Sequence, residues 1–66
     1  MARYYVNIIK QSNGDREVHK LTCPYFPSKN NYLGEFPTCQ EAVTEAKKYY
    51  DQVNGCYYCT TECHSG

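Results

Sequence analysis

The last eleven residues of the chain, CYYCTTECHSG, hold three cysteines and a histidine, and a second group of ligand-type residues, HKLTC, lies upstream. Thiolate sulfur and imidazole nitrogen suit zinc, whereas magnesium and calcium take oxygen donors. The pairs His19-x-x-x-Cys23 and Cys56-x-x-Cys59 stand about thirty residues apart. That spacing fits a tetrahedral site in which each short pair clips a turn and the ion joins the two turns. Geometry adds a condition. In a continuous strand His19 and Cys23 would be ~13 Å apart at ~3.3 Å per residue, while two ligands of one zinc sit only ~3.5 Å apart. The segment KLTC must therefore curl as a turn, the preceding strand must stop near His19, and Leu21 must leave the ladder. Pro24 agrees with this, since it restricts Cys23 and cannot extend a ladder.

Other uses of these side chains are weighed against the metal. Cys63 or His64 has the chelating reach to replace His19, although the plain expectation for both is a frayed C-terminal tail. Cys39 opens a helix, where the dipole lowers a thiol pKa, but packing is the expected role. A thiol redox protein of thioredoxin type needs its C-x-x-C at a helix N-terminus within a βαβ setting. Here the motif follows a helix C-terminus, where the dipole has the wrong sign. No Ser-His-Asp set, carboxylate pair or phosphate-binding loop is visible, so no catalytic residue is expected and the chain reads as a non-enzyme.

Size makes a staple necessary. Sixty-six residues form one small domain over 1–66, and chains below about 70–80 residues commonly need a metal, disulfides or a partner for stability. Apolar residues make up 41%, but eight tyrosines and no tryptophan leave little that buries completely. Seven basic and seven acidic side chains cancel, which removes the electrostatic case for nucleic acid or an anionic membrane. The exposed tyrosines offer stacking faces for bases, yet without interleaved basic residues a core-and-surface role is the better reading. The start, MARYYVNIIKQ, lacks the apolar stretch and cleavage site of a signal peptide, and no segment approaches a membrane span. A cytoplasmic setting is expected, in which the five cysteines are ligands or free thiols before they are disulfides. The alternative is a disulfide-stapled extracytoplasmic domain.

Three elements must position these groups. RYYVNIIKQSNGDREVHKL reads as a β-hairpin about Asn13-Gly14, the pair favoured in a two-residue type I′ turn. That loop sets Ser12 opposite Asp15, Ile9 opposite Val18, Ile8 opposite His19 and Val6 opposite Leu21. Tyr4, Val6, Ile8 and His19 then share one face. After a loop broken by Pro24 and Pro27, a short third strand is expected around residues 32–36. Residues 38–53 read as the helix, opened by the Thr38/Glu41 capping box. Ala42, Val43, Ala46, Tyr49, Tyr50 and Val53 form its apolar stripe, and Asn54-Gly55 its C-terminal stop.

The string EVHKLTC…NNYLGEF…CQEAVTEA…GCYYC resembles the Ada-type metal-binding domain over roughly residues 17–59. Members show a C/H-x-x-x-C pair, an asparagine and a phenylalanine-ending strand, an "EA" helix and a C-x-x-C knuckle. The resemblance implies a small α+β fold and one structural zinc held by His19, Cys23, Cys56 and Cys59. In the DNA-repair members the first ligand is a cysteine whose zinc-bound thiolate accepts methyl groups. His19 stands at that position here and is no thiolate. The basic, Arg-rich surroundings of the C-x-x-C in DNA-binding members are missing here, and Tyr57 and Tyr58 occupy the spacer. The resulting expectation is a stand-alone structural-zinc interaction module and not a methyl acceptor, its partner being a protein or a nucleic acid that these residues do not name.

Overall fold

The computed structural model describes residues 1–65. Four strands, β1 (Ala2–Asn7), β2 (Arg16–Lys20), β3 (Asn30–Phe36) and β4 (Val53–Gly55), form one mixed sheet in the order β3-β1-β2-β4. The one α-helix among the described residues, α1 (Cys39–Ala46), lies between β3 and β4 in sequence, and a 3₁₀ turn (Thr61–Cys63) follows. The chain is thus α+β, as expected. β1 runs antiparallel to both β2 and β3, while β4 is parallel to β2. β3 and β4 are therefore parallel to each other, and α1 is the crossover that carries the chain from one edge of the sheet to the other.

The hairpin forms, but three residues out of the expected register. Tyr5 faces His19 and Val6 faces Val18, and the loop runs over residues 8–15. Gly14 alone in this loop takes a positive φ, at 92°, and Asn13 does not, so the type I′ turn, which needs both, is absent. Instead Gly14 N–H closes on the Gln11 carbonyl at 2.9 Å, and Gln11 N–H on that of Asp15 at 2.8 Å. The Asn7 and Asn13 side chains cap the loop by accepting from Ile9 and Asp15 N–H, which competes with a tight turn. Because the strand period is two, an odd shift exchanges faces. Val18 enters the core against Val6, Ile8 and Ile9 go to solvent, and His19 leaves the Tyr4–Val6 face for the opposite one.

That exchange gives the sheet two different faces. Tyr4, Val6 and Val18 pack with Cys39, Ala42 and Ala46 of α1, flanked by Leu33, Phe36, Val43, Tyr50 and Val53. Thr38 caps α1 by accepting from Glu41 N–H at 3.3 Å. The helix ends at Ala46, a turn short of Tyr49 and well before the expected stop at Asn54-Gly55. Tyr49 is consequently exposed, and Val53, Asn54 and Gly55 are spent on β4. Strand pairing wins here because Arg16 N–H, Cys56 N–H and the Gln52 and Val18 carbonyls satisfy one another across the β2–β4 edge, where a helix would leave a sheet edge open. The third strand is longer than expected, beginning at Asn30.

Gly55 marks the tightest packing. A Cβ there would lie 2.8 Å from the backbone carbon of Cys63, and backbone cannot move aside cheaply. We expect Gly55→Ala to cost about 1–3 kcal/mol through overpacking and Thr38→Ala about 1 kcal/mol through loss of the cap, both read as shifts in denaturant midpoint. A neutral Gly55→Ala would contradict this packing.

Candidate metal centre

The short β2–β4 pairing assembles the centre. Glu17 stands level with Asn54 and Val18 with Gly55, so Cys56, the next residue, emerges beside His19. Its N–H donates to the Val18 carbonyl at 3.0 Å. The buried Thr60 locks the knuckle, its hydroxyl lying 3.2 Å from the Val18 carbonyl and 3.0 Å from that of Cys56. Thr60 was not singled out by sequence reasoning, and its only signal is its place directly after a C-x-x-C. On the other side β2 ends at Lys20, and Cys23 N–H closes a turn onto the Lys20 carbonyl at 3.0 Å. KLTC thus curls as the geometry demands. Leu21 keeps one ladder bond, to the Arg3 carbonyl at 3.0 Å, so its expected departure from the ladder is only partial.

These turns bring His19, Cys23, Cys56 and Cys59 together. One ligand atom from each lies within 4.8 Å of all the others, close enough to hold one metal ion. The Cys23 and Cys56 sulfurs are 3.8 Å apart, and Cys59 Sγ is 4.0 Å from His19 Nδ1. Around a tetrahedral ion with bonds of roughly 2.0–2.3 Å such atoms sit ~3.5–3.8 Å apart, so the set needs only a small contraction. Three backbone N–H groups point at the sulfurs: Lys20 at Cys59 (3.3 Å), Tyr25 at Cys23 (3.4 Å) and Tyr58 at Cys56 (3.4 Å). Such donors stabilise thiolate charge, and each belongs to the turn that carries or faces its sulfur.

Burial acts on the protonation of His19 and Cys59 in opposite directions. It lowers the His19 pKa, against an opposing pull from the Glu17 carboxylate, so the imidazole is neutral and able to ligate at neutral pH. Burial also raises the Cys59 thiol to about 12; the Lys20 N–H works against this, and Cys23 and Cys56 add to it. A cation must therefore displace a proton at Cys59. Glu17 Oε1 lies 3.5 Å from His19 Nε2, while Nδ1 is the ring nitrogen 4.0 Å from Cys59 Sγ. This carboxylate–imidazole contact orients the ring so that Nδ1 faces the ion position, the usual outer support of a metal-bound histidine.

Cys63 and His64 do not join the centre. Cys63 is paired with Cys39 in a disulfide, leaving Cys23, Cys56 and Cys59 as the free cysteines. This corrects the expectation that Cys39 merely packs. Its cause is tertiary: α1 starts against the 3₁₀ turn, a proximity no local pattern records. His64 Nδ1–H donates to the Gly55 carbonyl at 2.9 Å. The tail is not frayed over residues 61–65, because the largely buried Asn54 side chain accepts from Ser65 N–H at 3.0 Å and donates to its carbonyl at 2.9 Å. Among the described residues no helix is long and apolar enough to cross a membrane. Comparison with protein-family models, curated proteins and solved structures finds no match.

Glu17→Gln should keep the fold and lower metal affinity about 10–100-fold, the usual effect of removing an outer carboxylate. Competition with a chromogenic chelator measures it. Unchanged affinity would remove Glu17 from the site.

Proposed function

We propose that this chain is a structural-zinc interaction module, in which His19, Cys23, Cys56 and Cys59 hold one zinc ion. The observation that carries the reading is the convergence of one imidazole and three thiols within 4.8 Å. The donor chemistry favours zinc over magnesium or calcium. Four protein donors fill a tetrahedral shell and leave no position for water, the arrangement of structural rather than catalytic zinc. Its role is then to stabilise a domain whose largest fully buried side chains are only valine, threonine and cysteine. Structural zinc contributes roughly 10–16 kcal/mol at neutral pH in finger peptides, against typically 2–4 for a disulfide.

The resemblance to Ada-type domains supports the same ligand set. With His19 in place of the methyl-accepting cysteine, methyl acceptance is not proposed. Nor is any other catalysis. The partner is a protein or a nucleic acid. Three free thiols in one centre fit a reducing, cytoplasmic setting. The Cys39–Cys63 disulfide favours a second reading, an extracytoplasmic domain stapled by that bond.

Elemental analysis of protein purified under reducing conditions should return one zinc per chain. A strong chelator should abolish the folded amide spectrum, and Cys56→Ser should do the same. A zinc-free protein that stays folded sinks the reading. Affinity should rise with pH through the neutral range, because each thiol proton competes with the ion and Cys59 releases one on loading; a flat profile would exclude Cys59 as a ligand. Alkylation of unfolded, metal-stripped protein under non-reducing conditions should label three cysteines, and after reduction all five. Five labels without reductant, from protein isolated from its native cells, would remove the stapled alternative.

A further inference from the structure

The Cys39–Cys63 disulfide stands outside the metal centre, yet the turn it anchors leads straight into the knuckle. Cys39 is the first residue of α1 and is 1% exposed, held in the core with Tyr4, Val6 and Val18. Cys63 closes the 3₁₀ turn, and its N–H donates to the Thr60 carbonyl at 2.9 Å. Thr60 directly follows Cys59, and its hydroxyl bridges the Val18 and Cys56 carbonyls. The Cys63 backbone also lies against Gly55, the residue before Cys56, too closely for a Cβ to fit between them. His64 is bonded to the Gly55 carbonyl, and Ser65 to the Asn54 side chain. The disulfide therefore ties to the core the residues that hold β4 and the knuckle where Cys56 and Cys59 meet His19.

We propose that the Cys39–Cys63 disulfide is a redox-sensitive positioning tie for the metal knuckle, so that zinc is held tightly when the bond is closed and more weakly when it is open. The inference rests on the zinc reading and adds a means of regulating that same site. The two cysteines are 24 residues apart in sequence. Cys56 and Cys59 lie inside the loop they close, while His19 and Cys23 lie outside it. Closing the loop removes chain conformations that carry one ligand pair away from the other. A site assembled only part of the time binds with its affinity reduced by that fraction.

The exchange has a route. Cys39 is enclosed, but Cys63 is partly exposed and borders a surface cavity of about 220 Å³ with Val43, Thr44 and Lys47. A thiolate of the glutathione class entering there attacks the Cys63 sulfur. A new S–S bond forms to Cys63 as the Cys39–Cys63 bond breaks, and Cys39 leaves as a thiolate that takes up a proton. A second glutathione thiolate then attacks the first one's sulfur in the mixed disulfide. Cys63 leaves as a thiolate, takes up a proton, and the carrier departs as its own disulfide. None of the four metal-ligand residues is consumed.

The test measures zinc affinity by chelator competition on three forms of the full chain. These are the oxidised protein, the same protein opened with a phosphine reductant, and a double variant carrying Cys39→Ala and Cys63→Ala, which has no freed thiols to act as ligands. Both open forms should still bind one ion, about tenfold more weakly than the closed form. Linkage is reciprocal, which supplies a second readout on the wild-type chain alone. In glutathione buffers, the ratio of squared thiol to disulfide concentration that opens half the molecules should rise by the same factor when zinc is bound. Counting alkylated cysteines after acid quenching and unfolding reads that midpoint. Equal or tighter zinc binding by both open forms, or a glutathione midpoint that zinc leaves unchanged, overturns the proposal and leaves the zinc reading intact. Should the double variant fail to fold with zinc, the glutathione midpoint decides. Oxidised wild type that binds no zinc would instead strike the zinc reading.

Discussion

A parallel pairing only three residues long, β4 against β2, is the constraint on which the rest of the molecule turns. It joins the segment after the helix to the segment before Cys23, and so closes the distance between two ligand pairs that are far apart in sequence. Parallel strands need a crossover, and α1 supplies it. The helix is short because its job ends once the chain has crossed the core. The apolar face of the sheet is then covered by Ala42 and Ala46, residues small enough to let the helix lie close. On the other face, His19 is free to meet the sulfurs.

The same pairing explains why the centre is buried yet open to an ion. Cys23 and Cys56 are nearly inaccessible, and Cys59 remains partly exposed. Without a cation, burial keeps the Cys59 thiol protonated and the imidazole neutral. Backbone N–H groups already aimed at the sulfurs lower the cost of creating thiolates there. The disulfide between Cys39 and Cys63 works at a different place. It fastens the start of α1 to the 3₁₀ turn beyond the knuckle.

A good deal of this was legible in the residues. The ligand types and spacings of His19, Cys23, Cys56 and Cys59 are local, and so is the need for KLTC to turn. The Thr38 cap, the third strand and the α+β class follow from short-range pattern as well. Where reading failed, a long-range term outweighed a local one. Asn13-Gly14 signals a two-residue turn, but the observed register pairs Val6 with Val18, both fully buried. Asn54-Gly55 signals a helix stop, but the same two residues complete a sheet edge, and Gly55 is required by the backbone of Cys63.

What the sequence by itself determined is the inventory: which side chains can bind a soft cation, where turns must fall, and that so small a chain needs a tie stronger than its core. Only the tertiary structure decided the partners. It set His19 on the face away from α1, matched Cys39 to Cys63, and left three tyrosines outside beside the sulfurs. The physical reason is that side-chain face depends on strand register, and register is settled by total burial across the sheet rather than by any one turn.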